Sequence, residues 1–372
     1  MTMIKKSIFG GIFLCFLSSV SFAQNNAIIE DFKPSSLNQP GKEYPMVNSQ
    51  GYARFRIEAP EAKSIKVSLG LGGSGGTVLT QQADSTWMGT TEGPMDEGFH
   101  YYNITVDGGK FNDPGALNFY GSTRWESGIE IPAHDEDFYA LKDVPHGHVQ
   151  QILFPSKSTG TSRRAFVYTP PGYGNDVNKS YPVLYLQHGW GEDETAWTNQ
   201  GRANLIMDNL IAEKNLEPFI IVMTYGMTNE IKFGGLRDFD ITPFQTVLVD
   251  ELIPYIDTNF RTIADQEHRA MAGLSMGGME TKMITMNKPE VFSHYALMSG
   301  GVFAPEEVEN HSGLKLIFIS SGSKENPDRV IQAGKKLQDA GINAVTYVSD
   351  KTAHEFLTWR RSLYQLAPLL FQ

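Results

Sequence analysis

The chain has 372 residues, of which 41% are hydrophobic and 20% charged, and its formal net charge is −11. This length is sufficient for two domains that each bury a core. The acidic balance, without any cluster of basic residues, argues against nucleic acid or an anionic membrane surface as a partner.

The first residues have the three parts of a secretory signal peptide. Lys5 and Lys6 form a charged start, Ile8 to Val20 is apolar, and Ser21-Phe22-Ala23 is a small-x-small cleavage site. The apolar stretch is too short to span a membrane, and no later stretch reaches that length. Cleavage after Ala23 would give a secreted or periplasmic protein. It would also remove Cys15, the single cysteine, so no disulfide is expected.

Residues 24–43 are polar and rich in proline and serine, and we predict that they form a linker. Residues 44–132 have the pattern of a small β-sandwich domain. Ala53 to Ile57, Ser64 to Leu69 and Gly98 to Val106 have strand character, and Gly-rich or Asp-Gly turns separate them. Short strands joined by such turns are typical of a sandwich.

Residues 133–372 alternate strand and helix patterns, which predicts a parallel sheet covered on both faces and an α/β fold. The strand candidates are Val183 to Gln187, Phe219 to Thr224, His268 to Ala272, His294 to Met298, Leu316 to Ser320 and Ala344 to Val348. The helix candidates are Ala203 to Lys214, Pro243 to Asn259, Met276 to Asn287 and Pro327 to Ala340.

Gly273-Leu274-Ser275-Met276-Gly277 lies between a strand candidate and a helix candidate. Gly-x-Ser-x-Gly in this context indicates a nucleophile elbow, with Ser275 as the nucleophile. In an α/β-hydrolase the acid and then the base follow the nucleophile along the chain. Of the later histidines, His354 alone follows the last strand candidates, which makes it the predicted base.

The predicted acid follows the strand that begins at Leu316. Glu325 is favoured, because Asp328 lies in the first turn of a predicted helix, where the helix dipole already stabilises a carboxylate. Asp328 and Asp350 remain alternatives. The oxyanion hole needs two backbone N–H groups, and we predict those of Met276 and Trp190. Neither a cofactor nor a metal is expected.

Four aromatic residues are predicted to bind substrate. Trp190, Tyr225 and Trp359 lie near the elbow and could form a flat slot for an aromatic acid. Trp125 belongs to the β-rich segment, where an exposed ring would suit stacking on sugar. The same rings would equally serve as core or interface packing.

The set His188-Gly189, Gly273 to Gly278 and His354-Glu355-Phe356 resembles the esterase-D-like carbohydrate esterases of family 1, which include feruloyl and acetylxylan esterases. That family usually has Gly-Thr-x-Asp at the acid, whereas this chain has Gly322-Ser323-Lys324-Glu325. The β-rich segment resembles the family-48 carbohydrate-binding modules, through stretches such as Trp125 to Pro132. This resemblance implies an immunoglobulin-like domain before an α/β-hydrolase domain.

The resemblance implies an exported serine esterase that acts on feruloylated or acetylated xylan or arabinoxylan. Release of ferulic acid is favoured, and acetylxylan esterase is the alternative. A protein of another class, a non-catalytic carbohydrate-binding protein on an inert hydrolase scaffold, would not need Ser275, Glu325 and His354 in this order.

Overall fold

The computed structural model describes residues 27–69, 76–228 and 239–372. The predicted signal peptide and most of the first Gly-rich turn lie outside these ranges. Within them, every helix is too short or too polar to cross a bilayer.

The first part of the chain is an antiparallel β unit. Its strands are β1 (Lys33–Pro34), β2 (Met46–Val47), β3 (Ala53–Glu58), β4 (Ile65–Leu69), β5 (Thr77–Gln81), β6 (Thr86–Thr90), β7 (Gly98–Val106), β8 (Gly109–Phe111), β9 (Asn118–Gly121) and β10 (Arg124–Ile131). They pair in the order β1-β2-β3-β6-β5-β4-β7-β10-β9, with β8 on β7. Alternate residues of β3 are buried, as the alternation of apolar and polar residues predicts. The predicted bounds of β7 are those observed.

The prediction of a linker at residues 24–43 needs correction over its second half. Lys33–Pro34 pairs with Met46–Val47, and Asn38 forms a bridge with Ala116. Leu37 is buried among apolar side chains of the larger core. This segment therefore packs as part of the folded unit. Its prolines suit short edge strands, whose outward N–H groups need no partner.

The second part is built on an eight-stranded sheet, which a short 3₁₀ turn at Glu136–Tyr139 precedes. The strands are β11 (His148–Ser156), β12 (Thr161–Thr169), β13 (Val183–Gln187), β14 (Ile220–Thr224), β15 (Arg269–Leu274), β16 (His294–Met298), β17 (Leu316–Gly322) and β18 (Ala344–Ser349). They lie in the order β11-β12-β14-β13-β15-β16-β17-β18. The last six in this order are parallel, as predicted, whereas β11 and β12 form an antiparallel edge that was not predicted.

Helices cover both faces of this sheet. They are α1 (Ala196–Asn199), α2 (Ala203–Ala212), α3 (Pro243–Gln245), α4 (Ile253–Asn259), α5 (Met276–Asn287), α6 (Pro305–Val308), α7 (Pro327–Asp339) and α8 (Phe356–Leu366). A π-helical segment, Thr246–Leu252, joins α3 to α4, so the predicted helix from Pro243 to Asn259 is continuous but locally widened. One apolar cluster lies on each face of the sheet. This is the predicted α/β-hydrolase arrangement.

Helix α8 packs against the β unit. Arg360 is fully buried, and its Nη1 and Nη2 donate to the two carboxylate oxygens of Glu130 on β10, at 2.5 and 3.1 Å. A Cβ on Gly98 of β7 would lie 2.8 Å from Cβ of Leu357. Phe99 of β7 belongs to the same apolar cluster as Leu357. The β unit and the hydrolase sheet therefore share part of one core.

Candidate active site

The predicted nucleophile elbow lies between β15 and α5. Ser275 has φ 74° and ψ −104°, a left-handed backbone that non-glycine residues adopt only with strain. A Cβ on Gly273 would lie 2.2 Å from the carbonyl carbon of Gly277, and a Cβ on Gly277 would lie 2.6 Å from the backbone oxygen of His188. Only glycine fits at both positions. The resulting tight turn leaves Ser275 half-buried at the carboxyl end of the sheet.

The structure brings Ser275, His354 and Glu325 together in one hydrogen-bonded series. Nδ1 of His354 lies 2.8 Å from Oε1 of Glu325, and Nε2 lies 2.9 Å from Oγ of Ser275. A carboxylate can only accept, so Nδ1 carries the proton and donates to Glu325. Nε2 is then the acceptor for the hydroxyl proton of Ser275. The imidazole is thus held in the tautomer that a general base requires.

Three donors hold the carboxylate of Glu325 in place. Its Oε2 accepts from the backbone N–H of Gly322 at 2.6 Å and from the Ser299 hydroxyl at 2.7 Å, while its Oε1 accepts from His354. Burial acts to raise the pKa of Glu325. The hydrogen bonds from His354, Gly322 and Ser299 outweigh burial, and the pKa lies below its ordinary value. The group is therefore ionised at neutral pH and fixed in direction.

The two alternative acids do not occupy this position. Asp328 lies in the first turn of α7, as the sequence predicts. Asp350 follows β18, and its backbone oxygen accepts a hydrogen bond from Arg361 at 3.0 Å. Nδ1 of His354 is already bonded to Glu325. Glu325 starts from the loop between β17 and α7, and its carboxylate occupies the position beside the imidazole.

The loop after β13 packs directly on the elbow. A Cβ on Gly189 would lie 2.6 Å from Cδ1 of Leu274 and 3.4 Å from Cβ of Ser275, so a larger residue would have to displace the Leu274 side chain. Burial lowers the pKa of His188 to about 4, which keeps its ring neutral. His188 bonds the backbone oxygen of Gly189 through Nδ1 at 2.8 Å and accepts the N–H of Gly226 through Nε2 at 3.0 Å. This imidazole therefore ties together two loops that border the serine.

Three of the four predicted substrate-binding rings have accessible surface. Trp190 is half-buried, with its ring centroid 5.3 Å from that of Phe239. Tyr225 is also half-buried and stacks on His188 with centroids 5.7 Å apart. Trp125 is 56% exposed, and its ring meets Tyr120 edge-on at 5.7 Å. Each of these rings can contact a ligand without rearrangement of the core.

The prediction that Trp359 lines a substrate slot is wrong. Its side chain is buried between the rings of His354 and Phe356, with centroids 5.1 and 5.0 Å away. Its Nε1–H donates to Oγ of Ser299 at 3.1 Å, and Ser299 in turn donates to Glu325. Trp359 points inward because it lies on the face of α8 that packs on the sheet. Trp359 therefore packs against His354 and donates a hydrogen bond to the serine that holds Glu325.

The β unit reaches the site through the hairpin of β9 and β10, which the sequence did not predict. Its two-residue turn, Ser122-Thr123, has φ values of 52° and 68°, the pair of positive values that tightly closes a hairpin. The N–H of Thr123 donates to the backbone oxygen of Gly191 at 2.8 Å. Gln200 also donates to the backbone oxygen of Tyr120 at 3.1 Å. These contacts join residues that are far apart in the chain, so no local sequence pattern predicts them.

Among the residues described, one group of side chains has the spacing of metal ligands, namely Glu97, His134 and Asp135. His134 lies 2.8 Å from Glu97, and Asp135 accepts two hydrogen bonds from Arg361. Both carboxylates of this group are therefore already paired with a histidine or an arginine.

A serine, an imidazole and a carboxylate bonded in series on a nucleophile elbow define a serine hydrolase site on an α/β-hydrolase fold. Residues 156–308 match the family model described as putative esterase. This part of the chain is therefore similar to that esterase family.

Two curated relatives extend the comparison. The chain is 60% identical over 347 residues to the endo-1,4-beta-xylanase/feruloyl esterase of Xylanibacter ruminicola. This alignment covers 92% of this chain but 48% of that protein. It is 28% identical over 274 residues to endo-1,4-beta-xylanase Y of Acetivibrio thermocellus, which covers 65% of this chain and 24% of that protein. The chain thus spans half or less of the length of these relatives.

Solved structures share the fold. A ferulic acid esterase is 26% identical with a TM-score of 0.52, covering 61% of this chain and 98% of that one. A CE1 ferulic acid esterase from Anaeromyces mucronatus is 18% identical with a TM-score of 0.55, and the match covers 64% of this chain and 96% of that chain. The enterobactin esterase of Shigella flexneri is 17% identical with a TM-score of 0.62, covering 86% and 92%. The last likeness extends beyond the hydrolase sheet into the β unit.

Proposed function

We propose that this chain is a serine esterase that releases ferulic acid, a hydroxycinnamic acid, from feruloylated cell-wall polysaccharide such as arabinoxylan. The observation that carries the proposal is the series Ser275–His354–Glu325, with Oγ to Nε2 at 2.9 Å and Nδ1 to Oε1 at 2.8 Å. A fold with these contacts on a strained elbow is arranged for acyl transfer.

In the first step, Oγ of Ser275 bonds to the ester carbonyl carbon while its proton passes to Nε2 of His354. The backbone N–H groups of Met276 and Trp190 stabilise the negative oxygen of the tetrahedral intermediate. When the intermediate collapses, the bond to the sugar oxygen breaks, and that oxygen takes the proton from Nε2. Glu325 keeps the imidazole oriented and stabilises its charged form.

The second step uses the same groups on a water molecule. His354 takes a proton from water, and the hydroxide oxygen bonds to the acyl carbon. Collapse of this intermediate returns the proton to Oγ of Ser275 and frees the acid. The chain's own side chains supply every proton transfer in this cycle.

Two features support an aromatic acyl group. The relatives reported above include proteins named as feruloyl or ferulic acid esterases. Trp190 and Tyr225 also present half-buried rings beside the elbow, which suits the planar ring of a phenylpropenoid acid. An acetyl ester needs no such slot. Acetylxylan esterase activity is therefore the alternative that the substrate test must separate.

We further propose that the β unit is an immunoglobulin-like sandwich of the carbohydrate-binding-module type and that the protein is exported. The exposed ring of Trp125 supports a sugar-binding role, because stacking on a pyranose needs a free aromatic face. The signal-like residues at positions 1–23 support export.

The proposal is tested with methyl ferulate, feruloylated arabinoxylan and acetylated xylan as substrates. Ser275→Ala should lower kcat on methyl ferulate by several orders of magnitude, in the range seen when triad members are removed, with an unchanged Tm. Ser312→Ala, in an exposed loop, is the matched control. A Ser275→Ala variant with more than about a tenth of the wild-type rate would refute the nucleophile. A preference for acetylated xylan with negligible ferulate release would refute the feruloyl assignment alone.

A further inference from the structure

A buried carboxyl that the reaction described above does not use lies beside the elbow. Glu192 follows Gly189-Trp190-Gly191 and is 6% exposed. Its Oε2 accepts the backbone N–H of Gly189 at 2.9 Å. A Cβ on Gly189 would lie 3.3 Å from this oxygen and 3.4 Å from Cβ of Ser275. The carboxyl and the nucleophile therefore flank the same glycine.

The second oxygen of Glu192 meets a residue of the β unit. The hydroxyl of Tyr101, on β7, lies 3.4 Å from Oε1 and also 3.4 Å from the backbone oxygen of Tyr120, so it can donate to either. Tyr101 is itself held by Gln200, whose Nε2 donates to the Tyr101 oxygen at 2.7 Å, and by an edge-on contact with Phe99 at 4.8 Å. Burial raises the pKa of Tyr101 well above its ordinary value, so this hydroxyl keeps its proton and remains a donor.

Opposing effects act on the pKa of Glu192. Burial raises its pKa to about 7, against the opposing effects of the Gly189 N–H, the nearby His354 and the Tyr101 hydroxyl. Asp193, the other charged group that faces it, adds to the rise. In either protonation state one oxygen without a proton can face Gly189 and accept its N–H. The contact with the loop therefore persists through neutral pH.

The loop that Glu192 holds carries the proposed oxyanion donor. Gly189 immediately precedes Trp190, so a hydrogen bond that fixes the peptide N–H of Gly189 also restrains the orientation of the next peptide. The hairpin turn at Ser122-Thr123 bonds Gly191 on the other side of Trp190. The donor is thus restrained on both sides, once by Glu192 and once by the β unit directly.

We infer that Glu192 is a positioning residue, which accepts hydrogen bonds from Gly189 and Tyr101 and so aims the backbone N–H of Trp190 at the ester oxygen. The inference rests on the proposed function, since it assigns to Glu192 the alignment of the same oxyanion hole. Loss of one oxyanion donor costs about 10²–10³ in kcat. Misalignment of a donor that is still present should cost less, about 10- to 100-fold.

The experiment compares Glu192→Ala, Glu192→Gln and Tyr101→Phe in the full chain. Glu192→Ala should lower kcat on methyl ferulate about 10- to 100-fold, with KM changed less than about threefold. Glu192→Gln keeps a carbonyl acceptor for Gly189 and should recover to within about threefold of the wild type. Tyr101→Phe removes the longer contact and should cost only about two- to fivefold, with no added loss in the Glu192→Ala background.

Asp193→Ala is the matched control. Its carboxylate caps Thr195 within the same loop, at 2.9 Å to the backbone N–H and 2.6 Å to the hydroxyl. This variant should lower Tm while kcat stays within about twofold of the wild type. A similar loss of kcat in Asp193→Ala and Glu192→Ala, or a Glu192→Gln variant no better than Glu192→Ala, would show that Glu192 only maintains the loop.

Labelling of Ser275 by a fluorophosphonate separates this inference from the choice of substrate. Formation of the phosphonyl adduct uses the nucleophile and the oxyanion hole, and mass spectrometry follows it without any ester substrate. Slower labelling in Glu192→Ala, about 10-fold or more, supports the inference even if ferulate esters prove to be poor substrates. Labelling at the wild-type rate in Glu192→Ala would overturn it.

Discussion

Arg360 provides a quantitative test of how tightly the β unit and the hydrolase sheet are joined. Its guanidinium is fully buried, and besides Glu130 it donates from Nε to the backbone oxygen of Gln200 at 2.8 Å. Its carbon Cζ lies 4.5 Å from the ring centroid of Tyr139. Replacement by methionine keeps much of the volume but removes every one of these polar contacts.

The cost follows from what Glu130 would retain. Removing one partner of a buried ion pair typically costs about 3–5 kcal/mol, because the other charge is left without its counter-ion. Glu130 would keep the Tyr139 hydroxyl at 3.3 Å and Arg202 at 4.0 Å. We therefore expect Arg360→Met to lose about 3 kcal/mol, the lower end of that range. Replacing both partners, as in Glu130→Leu with Arg360→Met, should cost less than about 1 kcal/mol.

Urea unfolding at pH 7, followed by tryptophan fluorescence and checked by calorimetry, measures these differences. Arg56→Met is the control, because Arg56 pairs with Asp84 at 2.8 Å on an exposed surface. It should cost less than about 1 kcal/mol. The reasoning would be refuted if Arg360→Met cost no more than this control. It would also be refuted if the double variant were as unstable as Arg360→Met alone.

Three further predictions concern single side chains. Glu325→Gln should lower kcat on methyl ferulate by about 10³–10⁴, because the amide no longer fixes the imidazole tautomer, whereas Asp328→Asn should change it less than about twofold; the reverse pattern would transfer the role to Asp328. Trp125→Ala should raise KM on a feruloylated oligosaccharide more than on methyl ferulate, because its exposed ring is proposed to stack on sugar, which methyl ferulate lacks; an equal rise on both, with a lower Tm, would indicate packing instead. Burial raises the pKa of Glu280 well above the ordinary 4.5. The contribution of this carboxyl to the free energy of unfolding is therefore greatest below pH 4.5, and it decreases as the pH rises towards the folded-state pKa. Glu280→Gln should therefore gain in free energy of unfolding relative to the wild type between pH 5 and pH 8 in urea titrations, and a pH-independent difference would contradict this sign.

The sequence predicted the hydrolase sheet better than its edge. The central strands are uniformly apolar because both faces are covered, so β13 and β16 have the predicted bounds. Strand β11 was missed because it contains polar residues such as Gln150 and Gln151, and only Phe154 and Ser156 are buried. An edge strand has solvent on one side, and its pattern then differs little from that of a loop.

The residues of the site also differ in how well the sequence predicts them. Ser275, His354 and Glu325 could be found because the fold fixes their order and each follows a recognisable strand. Trp359 was misassigned because proximity to His354 in the chain does not say which way a helical side chain points. The contact between Glu192 and Tyr101 could not be predicted, because the two residues lie 91 positions apart in the chain. Contacts of this kind become visible only when the two units are packed together.

The Glu130–Arg360 pair also constrains the order in which the protein can mature. The two residues are 230 positions apart. A ribosome that adds about 5–20 residues per second needs roughly 10–50 s to bring Arg360 after Glu130. During that interval the nascent β unit exposes a carboxylate and the apolar surface around Phe99 that α8 will cover. Its final state is therefore reached only after translation has passed α8.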